Sequence, residues 1–233
     1  MPQVLISYNN QRQKGKAMFR ELASSFTDEF YRLDRTLFPR NGTVESRAVQ
    51  FTASHFSEGV TSTTLAFATF LARVHSPDSI IVVEANLRRP SFRRLLKLES
   101  DRSLLGILQD SQPVADAIQR VDDYGFSVLP ASNGSGQGLE REARIENLES
   151  VLVELRRTYR CILLDTPPVI PFMDSTIIAG MTDGAILIVE SNSTRSQVVD
   201  HAIERLKSGG GEVLGIILNK REFHIPRWIY RFL

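Results

Sequence analysis

Residues 48–64 read AVQFTASHFSEGVTSTT, and the fold turns on how they divide. AVQFTAS has the composition of a short strand, SHFSEG that of a turn, and TTLAFATFLARVH (63–75) that of a helix. Strand, glycine-bearing loop and helix start, in that order, let backbone N–H groups surround a phosphate. Thr61 and Ser62 stand where a hydroxyl binds Mg2+ in such loops. The pattern G-x-x-x-x-G-K-[ST] puts its lysine at Val60, which supplies neither charge nor donor. An ordinary strand-to-helix turn with serine and threonine caps reads the same stretch equally well.

Outward from this stretch, strand-like and helix-like segments alternate. SIIVVEA (79–85), GFSVLPAS (125–132), RCILLDTPP (160–168), DGAILIVES (183–191) and EVLGIILNK (212–220) are apolar runs that include β-branched residues. Helical patterns fall at 143–157 and over RSQVVDHAIERLK (195–207), with short helical or loop pieces at 101–110 and 113–121. Buried strands separated by helices predict an α/β domain: a mostly parallel sheet with helices on both faces. In such a domain ligands bind beyond the carboxyl ends of the strands, so the loops after residues 53, 83, 130, 164 and 190 matter most.

Residues 1–15 are polar and aperiodic and predict a flexible lead-in; residues 16–233 form one domain. Within it, Met18, Phe19, Leu22, Phe26, Phe30, Leu33 and Leu37 recur at spacings of three and four, predicting a helix or helix pair over 16–38. The chain has 233 residues, 42% hydrophobic and 24% charged, enough for a full core. Its net charge of +1 excludes a strong nucleic-acid footprint, which needs a clustered basic excess. The single cysteine, Cys161, lies in the apolar run CILLD and reads as a buried small side chain in a reducing cytoplasm. No stretch approaches the ~20 apolar residues of a membrane span, so no direct membrane insertion is expected. The four histidines, His55, His75, His201 and His224, show no metal-ligand spacing.

Two further strand ends carry chemistry. VVEANLRRPSFRR places Glu84 at the end of a buried strand and follows it with Arg88 and Arg89; a solvated basic turn is the plainer alternative. ILLDTPPVIPFMDS ends a hydrophobic strand in Asp165, the form of a Walker B segment that holds Mg2+ through water. Together with GAILIVES and LGIILNK, these stretches resemble the bacterial tyrosine kinases of polysaccharide biosynthesis (BY-kinases), within the deviant-Walker P-loop ATPases that include MinD and ParA. The resemblance covers roughly residues 20–233 and implies a P-loop NTPase-like fold with ATP and Mg2+ as ligands.

Against the family loop T-S-x-x-P-G-E-G-K-[ST]-T, Glu58, Gly59 and Thr61 match, whereas Phe56, Ser57 and Val60 replace proline, glycine and lysine. The second motif, D-x-D-L-R-R-P, becomes Glu84 and Asn86 followed by Leu87, Arg88, Arg89 and Pro90; the Walker B aspartate is kept as Asp165. The resemblance thus implies a degenerate nucleotide site formed by Glu58, Gly59, Val60, Thr61, Ser62 and Arg88. Thr61 and Asp165 are its Mg2+ residues, and Asp165 and Glu84 its catalytic acids. Losing one preorganised donor typically costs on the order of 10²–10³ in rate, and three altered features together predict weak or absent phosphotransfer.

The family assembles into rings through E-x-x-R-x-x-R, and DEFYRLDRTLF supplies Glu29, Arg32 and Arg35 at that spacing; a charged outer helix face is the plainer reading. The family's terminal tyrosine cluster is reduced here to Tyr230, the candidate phosphoacceptor, between Trp228 and Phe232 in a docking tail or a packed helix end. The expectation is a cytoplasmic ring-forming protein of exopolysaccharide or capsule biosynthesis, recruited to the inner face of the membrane by the cytoplasmic part of a polysaccharide co-polymerase. An active autokinase with a relocated cation, and a MinD/ParA-like positioning ATPase, are the alternatives.

Overall fold

The computed structural model describes residues 3–5, 17–39, 45–110, 112–132 and 145–220. Its centre is an eight-stranded sheet in the order β1-β8-β7-β2-β6-β3-β5-β4. The strands are β1 (Gln3–Leu5), β2 (Arg47–Ala53), β3 (Ile80–Glu84), β4 (Gln119–Val121), β5 (Phe126–Leu129), β6 (Cys161–Asp165), β7 (Ala185–Glu190) and β8 (Val213–Asn219). All neighbours run parallel except the edge hairpin of β4 with β5. β2 lies between β6 and β7, with Phe51 opposite both Asp165 and Ile186. The chain passes from β2 to the β3 side and later from β7 to the β8 side, so the end of β2 is a switch point where a crevice opens.

The strands read as unbroken apolar runs because both faces are covered. Ile80 and Val82 of β3 face one core with Phe19, Phe30 and Phe67, while Ile81 and Val83 face another with Leu104, Leu148 and Leu152. The first face carries α1 (Ala17–Ser25), α2 (Thr27–Leu37) and α3 (Val60–Val74); the other carries α5 (Leu104–Asp110), α7 (Leu148–Leu155) and α8 (Asp174–Ala179), with α9 (Ser196–Ser208) under β7 and β8. Two short helices, α4 (Phe92–Leu96) and α6 (Val114–Ala117), complete the set described. Cys161 is buried in β6, and burial pushes its thiol up to about 12.

The helix or helix pair expected over 16–38 is a pair, α1 and α2. Phe30 packs on Phe67 and Phe70 of α3 at centroid distances of 5.3 and 5.7 Å. Asp34 and His75, both buried, meet at 2.6 Å and tie α2 to the end of α3. That anchoring turns the opposite side of α2 outward, so Arg32 and Arg35 are exposed and Glu29 is half-buried.

The structure departs from the expected pattern in three places. Residues 3–5, read as part of a flexible lead-in, form β1: Val4 and Leu5 pair in parallel with Ile217 and Leu218, completing the edge of β8. Residues 119–121, read as the end of a helical or loop piece, form β4, because the edge of β5 accepts an antiparallel partner. The basic segment after β3 coils into α4, whose first amides a buried carboxylate holds. The Gly/Ser stretch NGSGQG (133–138) and the tail with Trp228, Tyr230 and Phe232 lie outside the described residues. Among the described residues no helix is long and apolar enough to cross a membrane.

Candidate functional site

β2 ends at Ala53, and residues 54–59 turn the chain into α3. The turn is held from within by Glu58, whose Oε2 accepts the backbone N–H of Ser54 at 2.8 Å and of His55 at 3.0 Å. Its Oε1 accepts the hydroxyl of Thr194, from the loop after β7. Glu58 is therefore a buried brace rather than a free acid.

A second grip comes from the end of β8. Asn219 Nδ2 donates to the Glu58 carbonyl at 2.9 Å, and Lys220 Nζ donates to the Ser57 carbonyl at 2.6 Å. Gly59 is required here, since it sits at φ +99° and a Cβ would come within 2.1 Å of Asn219 Nδ2. Ser57, at φ 68°, holds a left-handed conformation where the family pattern has glycine.

Gly59 caps α3 without a side-chain hydrogen bond, and the first helical bond runs from Thr63 N–H to the Gly59 carbonyl. The first-turn amides thus face a cleft of about 330 Å³ lined by His55, Phe56, Thr61, Ser62, Asn86 and Lys220 among others. The Val60 side chain contributes nothing polar to it and packs partly against the core on its own side of the sheet.

Beneath the cleft, the Thr61 hydroxyl donates to Asp165 Oδ2 at 2.7 Å. Asp165 Oδ1 is buried with no hydrogen-bond partner among the described residues. Burial pushes the carboxyl up to about 8, partly offset by the Thr61 hydrogen bond and reinforced by the charge of Glu84. An orphaned carboxylate oxygen next to a hydroxyl fits a Mg2+ ion held through water. Among the described residues no cluster of three or more His, Cys, Asp or Glu grips a metal unaided. Mg2+ commonly takes one or two carboxylates and completes its shell with phosphates and water.

Glu84, paired across the sheet with Asp165, has a different fate. Its Oε1 accepts the N–H groups of Ser91 and of Phe92, the latter at 2.8 Å, and its Oε2 accepts Ala131 N–H at 2.9 Å. Burial raises its pKa, and those hydrogen bonds oppose the rise. Glu84 caps α4 and joins it to the end of β5; it does not face the cleft. Asn86 lines the cleft and accepts Arg89 N–H at 3.1 Å.

At the rim, Arg88 donates twice to Asp174, at 2.9 and 3.1 Å, and lies 5.2 Å from the Phe172 ring. The guanidinium of Arg89 sits 3.7 Å from the centre of the Phe56 ring, and Phe56 meets Phe172 edge-on at 5.5 Å. The structure therefore brings together Gly59, Thr61, Ser62 and Asp165, turns Glu58 and Glu84 inward, and commits Arg88 to Asp174. Glu29, Arg32 and Arg35 lie apart, on α2, and Tyr230 is outside the described residues.

Sequence reasoning missed Asn219, Lys220, Thr194 and Asp174 as parts of this site. The signal for the first two was an Asn-Lys pair closing a parallel strand.

The chain is 23% identical over 181 residues to the tyrosine-protein kinase YwqD of Bacillus subtilis (strain 168), covering 76% of this chain and 74% of that one. Its curated relatives are bacterial tyrosine kinases. The kinase domain of the Escherichia coli tyrosine kinase ETK superposes with a TM-score of 0.80 at 17% identity, over 96% of this chain and 91% of that one. The septum site-determining protein MinD of Pyrococcus horikoshii OT3, complexed with Mg-ADP, gives 0.63 at 20% identity, over 80% and 76%. No family model matches the chain. The fold is that of the tyrosine-kinase domain and of the MinD-like P-loop ATPases, a mostly parallel sheet with helices on both faces, as the alternation of segments predicts.

Proposed function

We propose that this chain binds a Mg2+-nucleotide at the start of α3 and transfers its phosphoryl group weakly or not at all. It would serve exopolysaccharide or capsule biosynthesis as an assembly or regulatory partner of a membrane polysaccharide co-polymerase on the cytoplasmic side. The observation that carries this reading is the contrast between the two strand-end acids. Asp165 keeps a free oxygen beside Thr61, whereas both oxygens of Glu84 are taken up by backbone amides.

Asp165 and Thr61 would hold the ion, and the first-turn amides of α3 would take the phosphates. When bound, Mg2+ neutralises charge on the phosphate oxygens. Transfer also needs a residue to orient and deprotonate an acceptor hydroxyl. Glu84 is not available for that, and Asn86 is not a base. The outward face of α2, with Glu29, Arg32 and Arg35, supports self-association into a ring as part of the same role.

Calorimetry with Mg-ATP, combined with radiolabel transfer from ATP, tests the proposal. Binding without label on the protein is the expected result; no binding by folded protein rejects the nucleotide role. A second reading, an active autokinase using a relocated cation, is favoured by the presence of Lys220 in the cleft. Label on Tyr230 that disappears in Asp165→Asn would establish it.

A further inference from the structure

We propose that Lys220 supplies, from the end of β8, the phosphate-loop cation that Val60 cannot. It fastens the loop through the Ser57 carbonyl and offers its remaining N–H to a nucleotide phosphate. The proposal rests on the nucleotide-binding reading above and concerns which residue of this chain provides the charge.

Among the described residues lining the cleft, Lys220 is the one lysine or arginine. The two arginines nearest in sequence to the rim are otherwise placed. Arg88 is bidentate with Asp174, and Arg89 is stacked on Phe56. An ammonium has three donors. Two are directed at the Ser57 carbonyl, at 2.6 Å, and at Glu190 Oε2, at 3.0 Å. The third is left for an anion in the cleft.

The backbone supports the assignment. Lys220 follows β8 at φ 55° and Ser57 stands in the loop at φ 68°, two left-handed residues that are not glycine. Such a conformation is disfavoured for an L-residue and persists where surrounding contacts enforce it. Here those contacts join the two strained residues to each other. Asn219 and Lys220 hold the successive carbonyls of Glu58 and Ser57, so the loop and the lysine are positioned as one unit. Glu190, half-buried, pairs with Lys220 Nζ at 3.0 Å and helps hold the ammonium at the loop. A lysine at position 60 would reach the phosphates from the helix; Lys220 reaches the same cleft from the end of β8, which β7 separates from β2.

The experiment is calorimetric titration of the full chain with Mg-ATP and, separately, AMP, for wild type, Lys220→Met, Lys220→Gln, Lys220→Arg and the double variant Val60→Lys/Lys220→Met. Thermal melts confirm that each is folded. Gln keeps a donor for the Ser57 carbonyl but no charge, and so carries the test if Met destabilises the loop. A charged hydrogen bond is worth roughly a tenfold to hundredfold change in affinity. The expected result is a loss of that size for Mg-ATP in Lys220→Gln with a smaller change for AMP, retention in Lys220→Arg, and recovery in the double variant. Unchanged Mg-ATP affinity overturns the proposal while leaving nucleotide binding intact. Equal losses for Mg-ATP and AMP, not restored by Val60→Lys, also overturn it, because they assign Lys220 to loop shape alone. A folded wild type that binds neither ligand rejects the nucleotide reading itself.

Discussion

The Thr61 hydroxyl donates to Asp165 Oδ2 at 2.7 Å, and the second oxygen of the same carboxylate, buried, has no partner among the described residues. Asp165 lies opposite Phe51 on β2 and Glu84 on β3, in the middle of the sheet. An acid in that position is costly to ionise: it keeps its proton or meets a cation at the mouth of the crevice.

Asp165→Asn should therefore stabilise the ligand-free protein, and the gain should depend on pH. Burial pushes the folded-state carboxyl up to about 8 from the ordinary aspartate value of 3.8. The folded state then holds a proton that the unfolded state has released, so stability falls as pH rises from about 4 to about 8. Thermal melts should show a larger gain for Asp165→Asn at pH 8.5 than at pH 5, with about 2–4 °C for each kcal/mol in a domain of this size.

The same titration makes Mg2+ binding proton-linked. At pH 7 the Asp165 carboxyl is mostly protonated, and Mg2+ requires the carboxylate. Calorimetry of Mg-ATP in two buffers of different ionisation enthalpy should report release of about one proton in wild type and none in Asp165→Asn. Equal release in both would remove Asp165 from the metal site.

Glu84→Ala should cost stability rather than activity alone. It orphans the N–H groups of Ser91, Phe92 and Ala131, each worth about 1–3 kcal/mol when buried without a partner. Urea unfolding should show a loss of several kcal/mol. A variant as stable as wild type would show that the carboxylate is not the cap of α4.

Ser57→Gly should raise stability slightly, on the order of 1 kcal/mol, by relieving a left-handed residue while keeping the carbonyl that Lys220 holds. Denaturant midpoints of wild type and variant measure it; a fall in midpoint would mean that the serine side chain contributes more than its backbone strain costs.

Charge reversal of Arg32 and Arg35 to Glu should reduce the assembly size seen by light scattering and leave the melting temperature within a degree or two, about the effect of exposed surface changes. Both side chains are exposed on α2, whose buried side carries Phe30, Leu33 and Leu37. An unchanged size would reject the interface.

Much of this was legible locally. Unbroken runs such as IIVVE and CILLD, separated by helical periods, specify a parallel sheet covered on both faces, because only such a strand is buried on both sides. The order of the strand ends located the loop between β2 and α3 and placed Asp165 on the same edge, since a parallel sheet aligns all its carboxyl ends on one edge. Less legible were the short edge strands β1 and β4, whose residues gain a structural role only from an open neighbour.

By itself, then, the sequence determined the sheet, the position of the loop and the absence of a lysine at Val60, because periodicity and composition act over neighbouring residues. Only the tertiary structure decided that Glu84 is sealed against three amides while Asp165 is left one oxygen short. It also decided that Lys220, 163 residues from Ser57, closes on the loop. These outcomes depend on which strand lies beside which in the sheet. The order β8-β7-β2-β6-β3 brings distant residues to one edge, and no local pattern encodes that adjacency.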